Sequence, residues 1–310
     1  MSGPFLRRPV VWLTQHPWFR RLVTGTPPGR AVARRFVAGE SLEEALAAAR
    51  RLRGEGIATM LDHLGENVRV SEQAAAAASA YVRALERLRE EGDRLDCAVS
   101  IKLSQLGIDL SSELCSAHVG RVLDAAEPAG TLVMIDMESS AYVDRTLELF
   151  GAFRGRYENL GLCLQAYLRR TIDDVVDLPP GSSIRLVKGA YLEPPELAFT
   201  NRRQVDRSFS HLVATLLSRG HPLHVATHDS RLLESVRRLI RREGIPRSLV
   251  EFQMLYGIRR DLQTRLAGEG YAVRVYVPYG TEWYPYLTRR LAERPANMWF
   301  FLSNLVRSER

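Results

Sequence analysis

The chain has 310 residues, 45% of them apolar and 25% charged, and its formal net charge is +7. This length and composition predict a globular protein with one large domain rather than two small ones. Three cysteines in unrelated contexts (Cys97, Cys115 and Cys163) argue against a disulfide framework or a zinc site, and the lack of an 18-residue apolar run argues against a membrane span, so we expect reduced thiols and a cytoplasmic protein.

Residues 1–40 predict a basic helical arm. Residues 1–39 contain seven arginines and no acidic residue, and aromatic side chains such as Trp12 and Trp18 stand among them. Arginines interleaved with aromatic residues are typical of segments that contact an anionic surface, either lipid or nucleic acid. A helical arm packed on the domain, with its arginines in solvent, fits the same pattern.

Residues 41–310 predict a second, regular region in which apolar runs alternate with amphipathic helical stretches. Serine residues mark several helix starts: Ser41 with Glu44 forms a capping box, Ser71 begins a helix to Glu91, and Ser139 or Ser140 begins one that ends near Arg154. The apolar runs begin near Ile57, Cys97, Thr131, Gly161, Ile184, Leu223, Val250 and Ala272.

Eight strand–helix units imply right-handed crossovers and parallel strand pairing. At this chain length they predict an α/β fold closed into a (β/α)8 barrel. A doubly wound open sheet is the alternative. No Gly-x-Gly-x-x-Gly sequence follows any predicted strand, however, so a nucleotide-binding half of that kind is poorly supported.

Polar residues follow the predicted strands, where the active site of such a barrel lies. Any one of them could be a satisfied polar group of the barrel interior, but their convergence from eight strands indicates a functional site. They are Asp62, His63, Glu66, Lys102, Asp136, Glu138, Gln165, Arg185, Lys188, Gly189, Thr227, His228, Asp229, Gln253 and Tyr276.

The only two lysines among the 43 basic residues are Lys102 and Lys188, and each follows an apolar run. An ammonium is compact and can lose its proton when desolvated, whereas a guanidinium is planar and stays charged. Both positions are therefore candidates for chemistry or for binding by a point charge. The alternative is a compositional drift towards arginine that left two lysines behind.

A helix beyond the last strand carries two adjacent arginines and is ended by Pro295. Helical spacing places Tyr286, Arg289, Arg290 and Glu293 on neighbouring faces. Two arginines and a lysine can hold a carboxylate or a phosphate through bidentate hydrogen bonds. A surface pair between Arg290 and Glu293 is the structural alternative.

Four segments together resemble the proline dehydrogenase family over roughly residues 50–300: 185–191 (RLVKGAY), 226–229 (ATHD), 251–253 (EFQ) and 286–293 (YLTRRLAE). The resemblance implies a distorted barrel with non-covalent FAD and a last helix over the barrel mouth. It implies oxidation of L-proline to Δ1-pyrroline-5-carboxylate, the first step of proline catabolism to glutamate. Hydride would pass to flavin N5 and electrons then to a membrane quinone.

The resemblance also assigns the site residues. Lys102, Arg289 and Arg290 would bind the proline carboxylate, with Tyr276, Tyr286 and Leu255 around the ring, Asp136 supporting the basic cluster, and Glu66 pairing with Arg289 as a gate. Gln165 and Arg185 would face the flavin ring, while Val187, Lys188, Gly189, Ala190 and Leu192 would line the cofactor, and Thr227, His228 and Glu293 would hold its phosphate-adenosine part. No general base is assigned, because the resemblance places His228 near the cofactor phosphates.

Two residues depart from the family pattern, since many relatives have tryptophan at Leu192 and asparagine at Asp229. The larger fused relatives carry a DNA-binding segment and an aldehyde dehydrogenase domain, for which this chain has no room, so we expect a monofunctional enzyme without a nucleic-acid partner. The membrane quinone favours a location on the inner face of the membrane. Two rivals remain, a Schiff-base aldolase that uses Lys102 or Lys188 as nucleophile and a nucleic-acid-binding module that uses the arm.

Overall fold

Eight parallel strands form a closed barrel in the computed structural model, which describes residues 16, 21, 24–26 and 33–293 apart from the side chains of residues 93 and 291–293. Sequential neighbours pair throughout, and β8 closes the barrel against β1. This confirms the predicted (β/α)8 barrel. The strands are β1 (Ala58–His63), β2 (Cys97–Ile101), β3 (Val133–Ile135), β4 (Leu160–Gln165), β5 (Ser183–Val187), β6 (Leu223–Ala226), β7 (Val250–Leu255) and β8 (Ala272–Tyr279).

A helix precedes the first strand, and a helix follows each of the eight strands. They are α1 (Leu42–Gly54), α2 (Ser71–Glu91), α3 (Ser112–Ala126), α4 (Val143–Arg154), α5 (Thr171–Asp174), α6 (Arg202–Ser218), α7 (Ser230–Glu243), α8 (Arg260–Gly268) and α9 (Trp283–Glu293). Short 3-10 turns lie at Gly92–Arg94, Glu127–Ala129, Ser140–Tyr142 and Arg247–Leu249. Among the described helices, none is long and apolar enough to cross a membrane.

The serine residues predicted to start helices do not all cap them. The capping box of Ser41 and Glu44 is confirmed, with both of its hydrogen bonds present. Ser71 begins α2 as predicted, although its N-cap is Val70. The helix predicted from Ser139 or Ser140 begins at Val143 after a 3-10 turn. Ser140 does not cap it, because its N–H and hydroxyl both donate to Glu193.

Strand side chains alternate between the helices outside and the barrel interior, as the period of two requires. Leu61, Val99 and Ile135 belong to the large core between strands and helices. The middle of the barrel interior holds a small apolar cluster of Met60, Ala98 and Met134. The apolar middle therefore separates two polar layers, one at each end of the barrel.

The layer at the amino ends of the strands is a closed polar network. Ser183 Oγ lies 2.7 Å from Nε2 of His224, whose Nδ1 lies 2.8 Å from Glu251. Arg274 binds both oxygens of Glu251 at 3.0 Å through its Nε. Burial opposes ionisation of Glu251, but Arg274 and His224 outweigh it and lower the pKa of that carboxyl. This layer closes the end of the barrel opposite the predicted site.

Residues 33–40 pack against α9 and the carboxyl end of the barrel. Phe36 and Val37 join a buried cluster with Trp283 and Leu287. The indole N–H of Trp283 donates to Glu40 at 2.8 Å. The described end of the predicted arm is thus part of the domain surface, and most of residues 1–32 lie outside the described ranges.

Candidate active site

A cavity of about 940 Å³ opens at the carboxyl ends of the strands, within the size range of cofactor and substrate sites. The structure brings most of the predicted site residues together around it. Those that line it are Lys102, Asp136, Arg185, Val187, Lys188, Gly189, Ala190, Thr227, His228, Leu255, Tyr276, Tyr286, Arg289 and Arg290.

Lys102 lies at the inner end of the cavity among three oxygen atoms. Its Nζ donates to Asp62 at 2.7 Å and to the Tyr276 hydroxyl at 3.1 Å, and it pairs with Asp136 at 3.1 Å. Burial opposes the charge on Lys102, but the two carboxylates and Tyr276 outweigh it and raise the pKa of the ammonium well above its ordinary value. A lysine held in its ammonium form suits carboxylate binding, whereas a Schiff base forms from the neutral amine.

Asp136 links Lys102 to Arg185. It accepts hydrogen bonds from Tyr276 at 2.8 Å and from the guanidinium of Arg185, which also donates to Ser100 at 2.9 Å. Burial raises the pKa of Asp136, yet the cations Arg185 and Lys102 outweigh it, and the net shift is downward. Asp136 is therefore an anion that fixes both basic side chains in place.

Asp62 is a second buried carboxyl beside Lys102, and the sequence analysis listed it among the strand-end polar residues without giving it a role. Burial raises its pKa, and Lys102 offsets this only in part. Its Oδ1 binds Lys102, whereas its Oδ2 has no hydrogen-bond partner in the described part of the structure. A buried ammonium requires counter-ions, so the sequence could have named Asp62 as one of several possible partners at the ends of the neighbouring strands.

The outer part of the cavity is formed by α9 and two loops. Arg289 pairs with Glu66 at 2.6 Å, and both side chains are 24% exposed. The Arg289 guanidinium also lies 5.8 Å from the ring centre of Tyr191, which lines the cavity and was missed by the sequence analysis. Arg290 lies 5.3 Å from the ring of Tyr286. The predicted pairing of Glu66 with Arg289 is thus present in the structure.

The opposite side of the cavity is rich in charge at the starts of α6 and α7. Lys188 Nζ donates to Asp206 at 2.5 Å and to Asp229 at 3.2 Å. Asp229 also accepts from Arg202 at 2.8 Å and from the backbone N–H of Arg231, which makes it the N-cap of α7. Burial opposes ionisation of Asp229, but Arg202 and Lys188 outweigh it and lower its pKa to about 2.

The family model for proline dehydrogenase matches residues 45–302. The chain belongs to the proline dehydrogenase family. Proline dehydrogenase 1 of Bacillus subtilis subsp. natto is 39% identical over 307 residues, which cover 97% of this chain and 99% of that protein. The proline dehydrogenase of Deinococcus radiodurans is 41% identical over 284 residues, which cover 89% and 90% of the two chains. The family predicted from the four sequence segments is confirmed.

The barrel of the family is also found in longer proteins. A crystal structure of proline utilization A from Bdellovibrio bacteriovorus superposes with a TM-score of 0.81 at 24% identity. The match covers 91% of this chain but only 38% of that one. It therefore supports the fold of this proline dehydrogenase family member.

Two residues predicted on the cofactor side of this family site, Leu192 and Gln165, do not line the cavity. Leu192 is 74% exposed. Gln165 is buried, and its amide nitrogen donates to the backbone oxygens of Met137 and Glu138 at 3.0 and 2.6 Å. The side chain of Glu293 lies outside the described residues.

His228 lines the cavity, as predicted, and its hydrogen bonding restricts what it can do. Its Nε2 accepts a hydrogen bond of 3.0 Å from the backbone N–H of Leu255. An accepting Nε2 places the ring proton on Nδ1 in the neutral imidazole. The nitrogen that could serve as a base is therefore already engaged by the backbone.

Proposed function

We propose that this protein is an FAD-dependent proline dehydrogenase that oxidises L-proline to Δ1-pyrroline-5-carboxylate. The observation that carries the proposal is the presence of Lys102, Arg289 and Arg290 together in the lining of one cavity. They surround a space at the end of a barrel whose sequence places it in the proline dehydrogenase family. The catalytic unit is the region 41–310, preceded by the basic segment 1–40.

In this proposal the three cations bind the proline carboxylate, which fixes the substrate at the end remote from the reacting carbon. The rings of Tyr276 and Tyr286 and the side chain of Leu255 line the same cavity and supply the apolar contacts for the pyrrolidine ring. Fixed orientation of the reacting carbon is the main contribution that the protein makes to such a reaction.

Asp136 and Glu66 position the cations in this proposal. Asp136 holds Lys102 from inside the barrel, and Glu66 holds Arg289 at the mouth. When the Glu66–Arg289 pair closes over the substrate, it limits the access of water. Water exclusion strengthens the contacts between the substrate carboxylate and the three cations.

FAD fits the other side of the cavity on two structural observations. Gln165 does not itself line the cavity, but it lies on the same face of β4 as Cys163, which does. Its buried Oε1 has no hydrogen-bond partner among the described residues, and we propose that it accepts from an N–H of the flavin ring. Gly189 lines the cavity with φ +116°, and a Cβ there would lie 2.1 Å from the ring of Tyr167, so any other residue would distort the backbone at this part of the cavity.

Further groups on this side match the remaining parts of the cofactor. Arg185, Val187 and Ala190 line the cavity beside Gly189, and Lys188, Thr227 and His228 line the part nearest α6 and α7. In this proposal Lys188 and Arg202, which Asp206 and Asp229 hold in place, donate hydrogen bonds to the diphosphate. Bound FAD supplies the acceptor for the hydride that leaves the proline carbon next to nitrogen, while the nitrogen gives up a proton.

We propose a quinone as the acceptor that reoxidises the flavin. A quinone is dissolved in the bilayer, so the enzyme would be a cytoplasmic protein peripheral to the inner face of the membrane. The basic segment 1–40 is one candidate for the contact with lipid. No nucleic-acid partner belongs to this proposal, because the cations that the cavity offers are committed to a small anionic substrate and a cofactor.

The visible spectrum of the purified protein tests the proposal. We expect a yellow protein whose flavin absorption bleaches under anaerobic conditions when L-proline is added, and not when NADH is added. Δ1-pyrroline-5-carboxylate should form in equal amount to the reduced flavin. A colourless protein that also fails to take up added FAD would contradict the proposal, as would covalent trapping by borohydride with a carbonyl substrate.

A further inference from the structure

Exposed large apolar side chains are concentrated at the cavity end of the barrel. Five such residues occur in the described part of the chain. Four of them, Val70, Leu110, Leu192 and Leu197, lie in loops that follow strands, which is the end where the cavity opens. Val176 lies between α5 and β5, at the opposite end. Exposed apolar side chains gathered on one face are typical of an interaction surface.

Leu192 and Leu197 belong to one loop, residues 190–201, which we name the mouth loop. Glu193 anchors it by accepting hydrogen bonds from the N–H and hydroxyl of Ser140 at 2.8 and 2.5 Å. The backbone N–H of Arg169 donates to Leu197 O at 2.9 Å, and that of Phe199 donates to Tyr167 O at 2.7 Å. Because the loop is tied down on both sides, its leucines are held in solvent by the fold.

Positive charge accompanies these apolar residues. Arg203 follows the mouth loop at the start of α6, and Arg69 precedes Val70 on the first loop of the same face. Both arginines are exposed, and neither forms an ion pair within the described ranges. Glu196 is the exposed acid of the mouth loop. Leucines beside unpaired arginines match the interface of an anionic bilayer, where the apolar groups enter the acyl boundary and the cations meet phosphates.

We propose that the mouth loop docks the protein on the surface of an anionic lipid bilayer. Leu192 and Leu197 enter the interfacial zone, and Arg203 contacts lipid phosphates. This inference rests on the proposed function, because a flavin enzyme that reduces a bilayer quinone needs its cavity mouth at the membrane. Docking through this loop places Tyr191 and Gly189, which line the cavity, on the membrane side of the molecule.

Vesicle flotation of the full-length flavin-loaded protein tests the docking surface. The probes are vesicles of phosphatidylcholine with phosphatidylglycerol, compared with phosphatidylcholine alone. Leu197→Gln should bind the mixed vesicles roughly tenfold more weakly, since each inserted leucine contributes about that factor. Leu192→Gln should show a similar loss. The matched control is Val176→Gln, which removes an equally exposed side chain from the opposite end and should bind as wild type does.

A second pair of variants tests the contribution of positive charge to lipid binding. Arg203→Gln should weaken binding to the mixed vesicles by about fivefold, as roughly 1 kcal/mol for a cation near an anionic surface implies. It should also reduce the dependence of binding on salt. Arg53→Gln removes an exposed arginine from the last turn of α1. It should leave the binding to mixed vesicles and the salt dependence of that binding unchanged.

A soluble dye assay separates this inference from the proposed function. Leu197→Gln and Arg203→Gln should keep the wild-type rate of proline-dependent dye reduction, because neither side chain lines the cavity. Failure of the wild type to reduce dye with proline would overturn the proposed function. Wild-type vesicle binding in Leu197→Gln and Arg203→Gln would overturn the docking surface, and so would binding that is lost only when residues 1–36 are removed.

Discussion

Replacing Arg289 with alanine should impair proline oxidation strongly and leave folding almost unchanged. Its pair with Glu66 is partly exposed, and such pairs contribute only about 0–1 kcal/mol to the free energy of unfolding. Truncating one partner of a desolvated charge pair in a complex costs about 2–5 kcal/mol. At about 1.4 kcal/mol per factor of ten, kcat/KM for proline should fall by roughly 30-fold to several thousand-fold.

Steady-state dye reduction gives kcat/KM, and flavin absorbance and thermal melting report cofactor content and stability. Arg290→Ala should behave in the same way. Arg289→Lys should recover only part of the activity, because the bidentate geometry is lost although the charge remains. Glu66→Gln is the control that breaks the ion pair and keeps the cation, so it should lose far less than Arg289→Ala.

Two results would contradict the assignment of Arg289 and Arg290 to substrate binding. If either alanine variant keeps full catalytic efficiency, the arginine pair does not bind the substrate carboxylate. If a variant loses activity only in proportion to lost FAD or to unfolding, the pair is structural. In both cases the assignment of α9 to substrate binding is wrong.

Two further changes test the cofactor side and the closed end of the barrel. Gly189→Ala should lower the FAD content of the purified protein, because its Cβ would collide with Tyr167, whereas Gly151→Ala, with no neighbour within 4 Å of the added Cβ, should not. Glu251→Gln should destabilise the protein by up to about 3–5 kcal/mol at neutral pH, since Arg274 loses its buried partner and keeps only the half-exposed Asp96. The folded-state pKa of Glu251 is depressed, so this contribution is present above the ordinary glutamate value and is lost as the pH falls towards the folded value. Urea unfolding should therefore show the difference between wild type and variant shrinking in acid.

The sequence pattern predicted the barrel well because each strand is apolar and short and is followed by a separate helical stretch. The predicted order of eight runs became eight sequentially paired strands. Helix starts were less reliable, because a serine caps only when no other partner takes its hydroxyl. Ser140 is engaged by Glu193, a residue 53 positions away, and no local pattern contains that information.

The residue types of the site could be predicted from the sequence. The contacts between those residues could be predicted only in part. Polar residues at strand ends could be identified directly, since strand ends of one barrel converge. The carboxyl that pairs with Lys102 could not be chosen in this way, because several neighbouring strands are followed by an acidic residue. Tyr191 was missed for a related reason: it lies in a loop, and the path of a loop is not determined by the hydrophobic period.

The two polar shells of the cavity have different net charges, and for this reason we expect the arginine pair to contribute most to substrate binding. In the inner shell, Lys102 and Arg185 face Asp62 and Asp136, so two cations are balanced by two carboxyls. The three N–H groups of the Lys102 ammonium already face three oxygens.

An additional carboxylate therefore gains little net attraction from the inner shell alone. The positive excess comes from the outer shell, where Arg289 and Arg290 line the cavity and Glu66 is the acid paired with Arg289. Removing Lys102 would leave Asp62 and Asp136 buried together without their shared cation, which destabilises the fold as well as the site. Only the arginines of α9 can be removed with little disturbance to the barrel, and their variants therefore isolate the contribution of substrate binding.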